Sequence, residues 1–270
     1  MCAMLNHLRH LLLPVTLFTL LLLIGQGAEG QINTEKYRKY YSDDVGFIFN
    51  LKTTFTVKAG NTEYTAYTGT GRVDYNGKKF DAFLVGNFEF KNTADTKVEN
   101  QGFLHLRGIT HIADRATWEV FLQRQYDEFI DLNSRNLAGT GLKYRVIEHI
   151  AGEDSSKTLD VNVSLGLMYE TEEYDVDEGT VSKYLWRSTN FLSVDWLIKE
   201  KLNLTGVIYY QPAFKNFSNY RISSELGFEF AIARSLYFIV DFTGRYNSIP
   251  VTDVKKYDFS IENGIRIEIR

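Results

Sequence analysis

The side chains best equipped for chemistry are few. Beyond residue 30 the chain carries three histidines, His105, His111 and His149, and its one cysteine is Cys2. His105 and His111 share the parity of one extended segment with Arg107 between them. Six residues at about 3.3 Å each set the two imidazoles about 20 Å apart, too far to hold one metal. A Ser-His pair would need a serine on an adjoining strand within hydrogen-bond reach, and segments 79–91 and 115–127 contain none. Glu225, Glu229 and Asp241 could supply a paired-carboxylate hydrolase, but they stand among basic residues, as structural ion pairs do. The acidic run TEEYDVDEG lacks the ligand spacing of a calcium loop, and no Gly-rich phosphate motif follows a strand. These residues imply no catalytic site, no metal site and no cofactor.

What the charged residues do show is a period. In SELGFEFAIARSLYFIVDFTGRY, residues 224–246, Leu226, Phe228, Phe230, Ile232, Leu236, Phe238, Val240 and Phe242 alternate with Glu225, Glu229, Asp241 and Arg245. Period two on both sides of Ala-Arg-Ser reads as a hairpin of two long strands. In a soluble barrel the apolar face would be the core; in an outer-membrane barrel it would meet lipid and the charges would line the lumen. The same rule puts Arg107, Glu119, Lys143, Arg145, Arg187, Asp195, Arg221, Glu262 and Arg266 on inward faces. A midplane Arg or Lys facing lipid costs about 2–4 kcal/mol, which forces such groups inward.

Twelve strand-like segments can be drawn between residues 45 and 270, with no convincing amphipathic helix. Most are longer than the roughly 5–6 residues usual in soluble sheets. Tight links at Asn76-Gly77, Ala113-Asp114, Lys199-Glu200 and Ala233-Arg234 alternate with longer polar connections: KNTADTKVEN, DEFIDLNS, TEEYDVDEGTVS, QPAFKNFSN and NSIPVTDVKKYD. Alternation of that kind is expected of an up-and-down outer-membrane barrel with both termini on the tight-turn, periplasmic side. Tyr64, Tyr75, Trp118, Tyr126, Trp186, Trp196, Tyr210 and Tyr246 fall near segment ends, where interfacial aromatic girdles form. A sheet in lipid must close, so YDFSIENGIRIEIR is expected to pair with residues 44–57.

Residues 1–30 read as a cleaved secretory signal, with the apolar run Leu11–Gly25 followed by small residues. Residues 31–43 then form a short periplasmic leader and 44–270 a single barrel domain. Cys2 precedes the apolar run, so the exported chain carries no thiol, which excludes disulfides and thiolate chemistry. Lys+Arg 30 against Asp+Glu 34 gives no basic excess of the kind that binds nucleic acid.

The segment RATWEVFLQRQYDEFIDLNSRNLAGTGLKYRVIEH, residues 115–149, resembles the core of the bacterial family called domain of unknown function 481, some of whose members are labelled salt-induced outer membrane proteins. The resemblance rests on Tyr126-Asp127, Leu132, Arg135, Gly139-Thr140-Gly141 and Tyr144-Arg145. It implies an outer-membrane barrel and no reaction. Within the segment, Asp127 and Arg135 flank a loop and are expected to close it as an exposed pair worth about 0–1 kcal/mol. Gly139 and Gly141 are expected to make room for bulky inward neighbours.

The sequence therefore predicts an all-β, antiparallel up-and-down transmembrane barrel of about twelve strands in a Gram-negative-type outer membrane. Its expected partners are the membrane lipids, the barrel-insertion machinery, and ions or small solutes crossing a passive pathway. A structural envelope role, linked to salt or osmotic response, stands beside that reading. The alternatives are an outer-membrane hydrolase with a site at the extracellular rim, and a soluble periplasmic barrel that binds an apolar ligand.

Overall fold

A computed structural model describes residues 45–59, 63–93, 97–150, 157–177, 179–198, 201–233, 236–251 and 255–267. The expected signal and leader lie outside these residues. Twelve strands follow one another: β1 (Gly46–Lys58), β2 (Tyr64–Asn76), β3 (Phe80–Thr93), β4 (Lys97–Ala113), β5 (Ala116–Asp127), β6 (Leu132–Ile150), β7 (Lys157–Val176), β8 (Gly179–Ile198), β9 (Leu202–Ala213), β10 (Asn216–Ala233), β11 (Leu236–Asn247) and β12 (Tyr257–Ile267). Each pairs antiparallel with its chain neighbours in one twelve-stranded up-and-down sheet.

Alternation sets which face goes where. Leu51 is 80% exposed, Phe49 72% and Leu165 70%, whereas Arg135, Glu170 and Arg187 are at most 1% exposed. The sheet curls so that its apolar face looks outward and its charged face is enclosed, the reverse of a soluble β-sandwich. Small apolar clusters interrupt the charged interior: Phe83, Val85 and Ile109 in one place, and Ile130, Leu132 and Tyr174 near one end. Outward aromatics pair across strands, Tyr169 with Trp186 at 5.1 Å, and Tyr210, Tyr220 and Tyr246 in a row at 5.8 and 5.6 Å. The Trp118 indole donates to Thr140 Oγ1 at 2.7 Å, so its N–H is satisfied on the apolar face.

Three of the connections expected to be long are mostly strand. TEEYDVDEGTVS is drawn into β7 and β8, each 20 residues long, which stay paired as far as Val176 opposite Gly179. KNTADTKVEN and QPAFKNFSN are likewise largely absorbed into β3, β4, β9 and β10, whereas DEFIDLNS is half strand. A 3-10 turn, Glu128–Ile130, links β5 to β6, and Asp131 leaves it with φ 57, a left-handed conformation that Asp tolerates. NSIPVTDVKKYD remains a true connection. Its Ser248 is buried against β10, where the hydroxyl donates to Ser218 O and accepts from Tyr220 N, each at 2.8 Å.

The expected pairing of the last strand with the first is not formed: among the described residues no ladder joins β12 to β1. Along β1, inward Asn50, Lys52 and Thr54 are exposed, as are Ser260 and Glu262 of β12. The interior thus has two unlike parts, a packed one walled by β2–β9 and the Arg221–Ser223 stretch of β10, and a wet one bordered by the rest of β10, β11, β12 and β1.

Candidate functional site: the charged interior

The packed half is organised in tiers, each built from side chains two residues apart on strands in register. At one end of the barrel, Glu170 and Glu172 of β7 face three arginines. Arg135 of β6 donates from Nε to Glu170 at 2.5 Å and approaches Glu172 at 3.4 Å. Arg187 of β8 donates to Glu170 Oε2 at 2.5 Å, and its Nη1 and Nη2 reach Gln211 O, Asn219 O and the Asn219 side chain at 3.0–3.2 Å. Arg221 of β10 binds both carboxylates, Glu172 at 2.5 Å and Glu170 by a shorter contact. Because β10 pairs with β9 and β11, this last bond crosses the interior.

Tyr174 lies beyond that cluster, and Lys183 stands opposite Glu172 in the β7–β8 ladder. Burial, then the Glu172 carboxylate, push the Tyr174 hydroxyl above its usual range, so it remains a protonated donor. Burial lowers the Lys183 ammonium, partly offset by Glu172.

The next tier holds Arg107, whose Nη1 donates to Glu119 at 3.1 Å and whose Nε lies 3.3 Å from His105 Nε2. His105 Nδ1 meets Gln123 Oε1 at 3.0 Å, and Gln123 donates to Gln125 at 2.8 Å. Phe83 and Phe121 pack against the ring at 5.7 and 5.9 Å. His105 is therefore a packed, hydrogen-bonded interior residue. Between the tiers, Phe121, Met168, Phe191 and Tyr209 leave a void of only about 40 Å³, about the share of one water. A Cβ on Gly139 would fall 2.3 Å from Phe121 Cζ and 2.9 Å from Met168 Cβ, so this glycine makes room for bulk, as its inward parity suggested.

Toward the opposite end, Arg72 binds Asp74 through Nε at 2.7 and 2.9 Å. Arg145 reaches Glu148 at 2.7 Å and Asp160 at 3.6 Å. His111 pairs with Asp81 at 2.7 Å, far along β4 from His105. Arg72, Asp74, Asp81, His111, Lys143 and Arg145 border a vestibule of about 160 Å³.

Of the inward candidates, Arg107, Glu119, Lys143, Arg187 and Arg221 are buried in the packed half. Asp195, Glu225, Glu229 and Arg245 are half-buried, and Asp241 and Glu262 are exposed. Asp241 stands directly opposite Glu262, Arg245 opposite Asp258, and Arg266 falls opposite Tyr237 in the ladder.

The expected exposed Asp127–Arg135 pair needs correction. Both residues are buried rather than exposed; Asp127 caps the 3-10 turn by accepting from Phe129 N at 3.0 Å, and Arg135 also binds Glu170 and Glu172. Those two glutamates are the residues the sequence reading missed. Inward parity continues through Met168, Glu170, Glu172 and Tyr174, but Thr171, Glu173 and Asp175 on the outer face are polar too, so the alternation fades.

A twelve-stranded up-and-down β-sheet, curled around buried ion pairs and apolar outside, defines the class. The chain belongs to the family described as Protein of unknown function, DUF481, whose profile matches residues 52–266. No curated protein matches the chain. Among solved structures, the NanC porin in a rhombohedral crystal form aligns at 9% identity and a TM-score of 0.46, covering 83% of this chain and 99% of the porin. A porin refined at 1.8 Å aligns at 9% identity and 0.36, over 77% of this chain and 62% of the porin. The translocator domain of autotransporter NalP from Neisseria meningitidis aligns at 11% identity and 0.38, over 83% and 87%.

Proposed function

We propose that the chain is an integral outer-membrane barrel and that its wet half forms a narrow, cation-preferring passive pathway beside a permanently packed half. The observation that carries the membrane reading is the reversed polarity of the sheet. On β7 the outward residues Val161, Val163, Leu165, Leu167 and Tyr169 span nine residues, close to the roughly 9–11 that a tilted strand needs to cross a bilayer. A periplasmic barrel for an apolar ligand would need the opposite arrangement, with its apolar side chains enclosed.

The pathway reading rests on the two unlike halves. Side chains fill the packed half, whereas Glu225, Glu229, Asp241, Asp258 and Glu262 border the more exposed part of the interior, with Arg245, opposite Asp258, as the nearby counter-charge. Rings of acidic side chains favour cations. A pathway of this kind would also suit a role under salt or osmotic stress. A cleaved signal over residues 1–30, a periplasmic leader over 31–43, periplasmic termini, and delivery by the barrel-insertion machinery complete the proposal.

The test is to refold the mature protein in detergent, mix it with lipid vesicles and float them, then record from planar bilayers across a salt gradient. Flotation with discrete cation-selective steps is the expected result. Failure to float would overturn the membrane reading; a floated but silent barrel would overturn the pathway and leave a structural envelope protein.

A further inference from the structure

The outward faces of β3–β7 carry a groove that the interior does not explain. It is open, about 460 Å³ in volume, and lined by Leu84, Leu104, Leu106, Leu122, Ala138 and Tyr169, with Arg124, Asn136 and Thr171 at one end. Its origin is local. Leu122, Ala138 and Tyr169 stand side by side in register on β5, β6 and β7, so the small Ala138 leaves a trough between two large walls. One step along the same strands, Arg124, Asn136 and Thr171 are again in register, and Asn136 Nδ2 lies 3.4 Å from Thr171 Oγ1.

Arg124 is the unexpected member. It is exposed, and among the described side chains it is the only Arg or Lys on the outward parity of the strands. Its cross-strand neighbours are Leu104 and Asn136, so no carboxylate faces it from β4 or β6. A guanidinium on the lipid face is costly at the midplane and tolerable only near the interface. The adjacent Tyr126 and the Tyr169–Trp186 pair mark this level as interfacial. The anion that a membrane offers an interfacial guanidinium is a phosphate, which Arg binds through two parallel N–H groups.

We infer that this groove binds a phosphate-bearing anionic lipid, with an acyl chain in the trough over Ala138 and the headgroup phosphate on Arg124, flanked by the Asn136 amide and the Thr171 hydroxyl. The apolar walls recognise the chain and the cation recognises the head. This inference rests on the membrane reading above.

The experiment uses the refolded protein in vesicles of phosphatidylcholine and phosphatidylglycerol in equal parts. The barrel is extracted into mild detergent and the lipids that stay bound are weighed by native mass spectrometry. The unsubstituted protein is expected to retain phosphatidylglycerol over phosphatidylcholine. Arg124→Gln should lower retained phosphatidylglycerol about tenfold, the loss of one charge-assisted contact, and leave phosphatidylcholine unchanged. Ala138→Leu should lower it similarly with the guanidinium intact, by filling the trough. Undiminished retention in both variants, or equal loss of the two lipids from Arg124→Gln, would overturn the inference while the membrane reading stood. Both substitutions point outward, and flotation of every variant checks insertion separately; failure of the unsubstituted protein to float would overturn both readings.

Discussion

Arg221 on β10 reaches across the interior to Glu170 on β7, a strand with which β10 shares no ladder. Sheet hydrogen bonds hold each strand only to its neighbours, so this contact and its companion to Glu172 tie the two sides of the curled sheet together. Glu170 simultaneously accepts from Arg135 and Arg187. Such a cluster is no guarantee of net stability relative to an apolar filling, but removal of one member leaves buried charge uncompensated.

Glu170→Gln should therefore destabilise the folded barrel strongly, by about 3–5 kcal/mol. Reversible urea unfolding in detergent, followed by tryptophan fluorescence, would register it as a lower midpoint. A midpoint equal to that of the unsubstituted protein would show that the cluster contributes little.

Arg221→Ala should have a second consequence. With the cross-interior tie removed, the packed half loses its clamp at that end, and unitary conductance in planar bilayers should rise. Unchanged steps from a folded variant would show that the packed half stays closed without this tie.

The cation preference can be tested at Asp241 and Glu262, which oppose each other on β11 and β12. Asp241→Asn together with Glu262→Gln should move the reversal potential toward that of a non-selective pathway. These residues are exposed, so the fold should be unaffected and circular dichroism should match.

Gly139→Ala would force a methyl group against Phe121 and Met168. Overpacking of this size costs about 1–3 kcal/mol. A thermal melt read by loss of heat-modifiable migration should fall, whereas Gly264→Ala, with open space around its position, should leave it unchanged.

The seam between β1 and β12 makes the fifth prediction. An unpaired strand edge in hydrocarbon costs several kcal/mol per unsatisfied group, so in a bilayer the two edges should pair. A cysteine at Leu51, scanned against single cysteines along 258–264, should form a disulfide at one register and its near neighbours only, because bridging requires Cα atoms about 4.4–6.8 Å apart. Cross-linking at no position would mean that the edges stay apart in lipid.

How much of this was legible in the sequence depended on the lipid-facing band. Where one face must be apolar, as in β10 and β11, period two is strong and the hairpin around Ala233 is read correctly. Beyond the band, both faces are polar, so 171–182 reads as loop although 171–176 and 179–182 are paired strand, and Glu172 disappears with it. The burial of Arg135 was hidden for the same reason: its partners Glu170 and Glu172 lie 35 and 37 residues onward and require the β6–β7 register. Arg124 showed the converse, a charge that the alternation rule itself places on the outside.

The 20-residue strands β7 and β8 have a final implication. At about 3.3 Å per residue and a tilt of roughly 45°, each would stand about 47 Å tall, well above a hydrocarbon layer about 30 Å thick. A stiff parapet of paired strand, with its crest where Val176 faces Gly179, would then rise from one side of the mouth. A binding protein or antibody arriving there would meet a preformed surface, and a short peptide tag would be best accommodated at that crest.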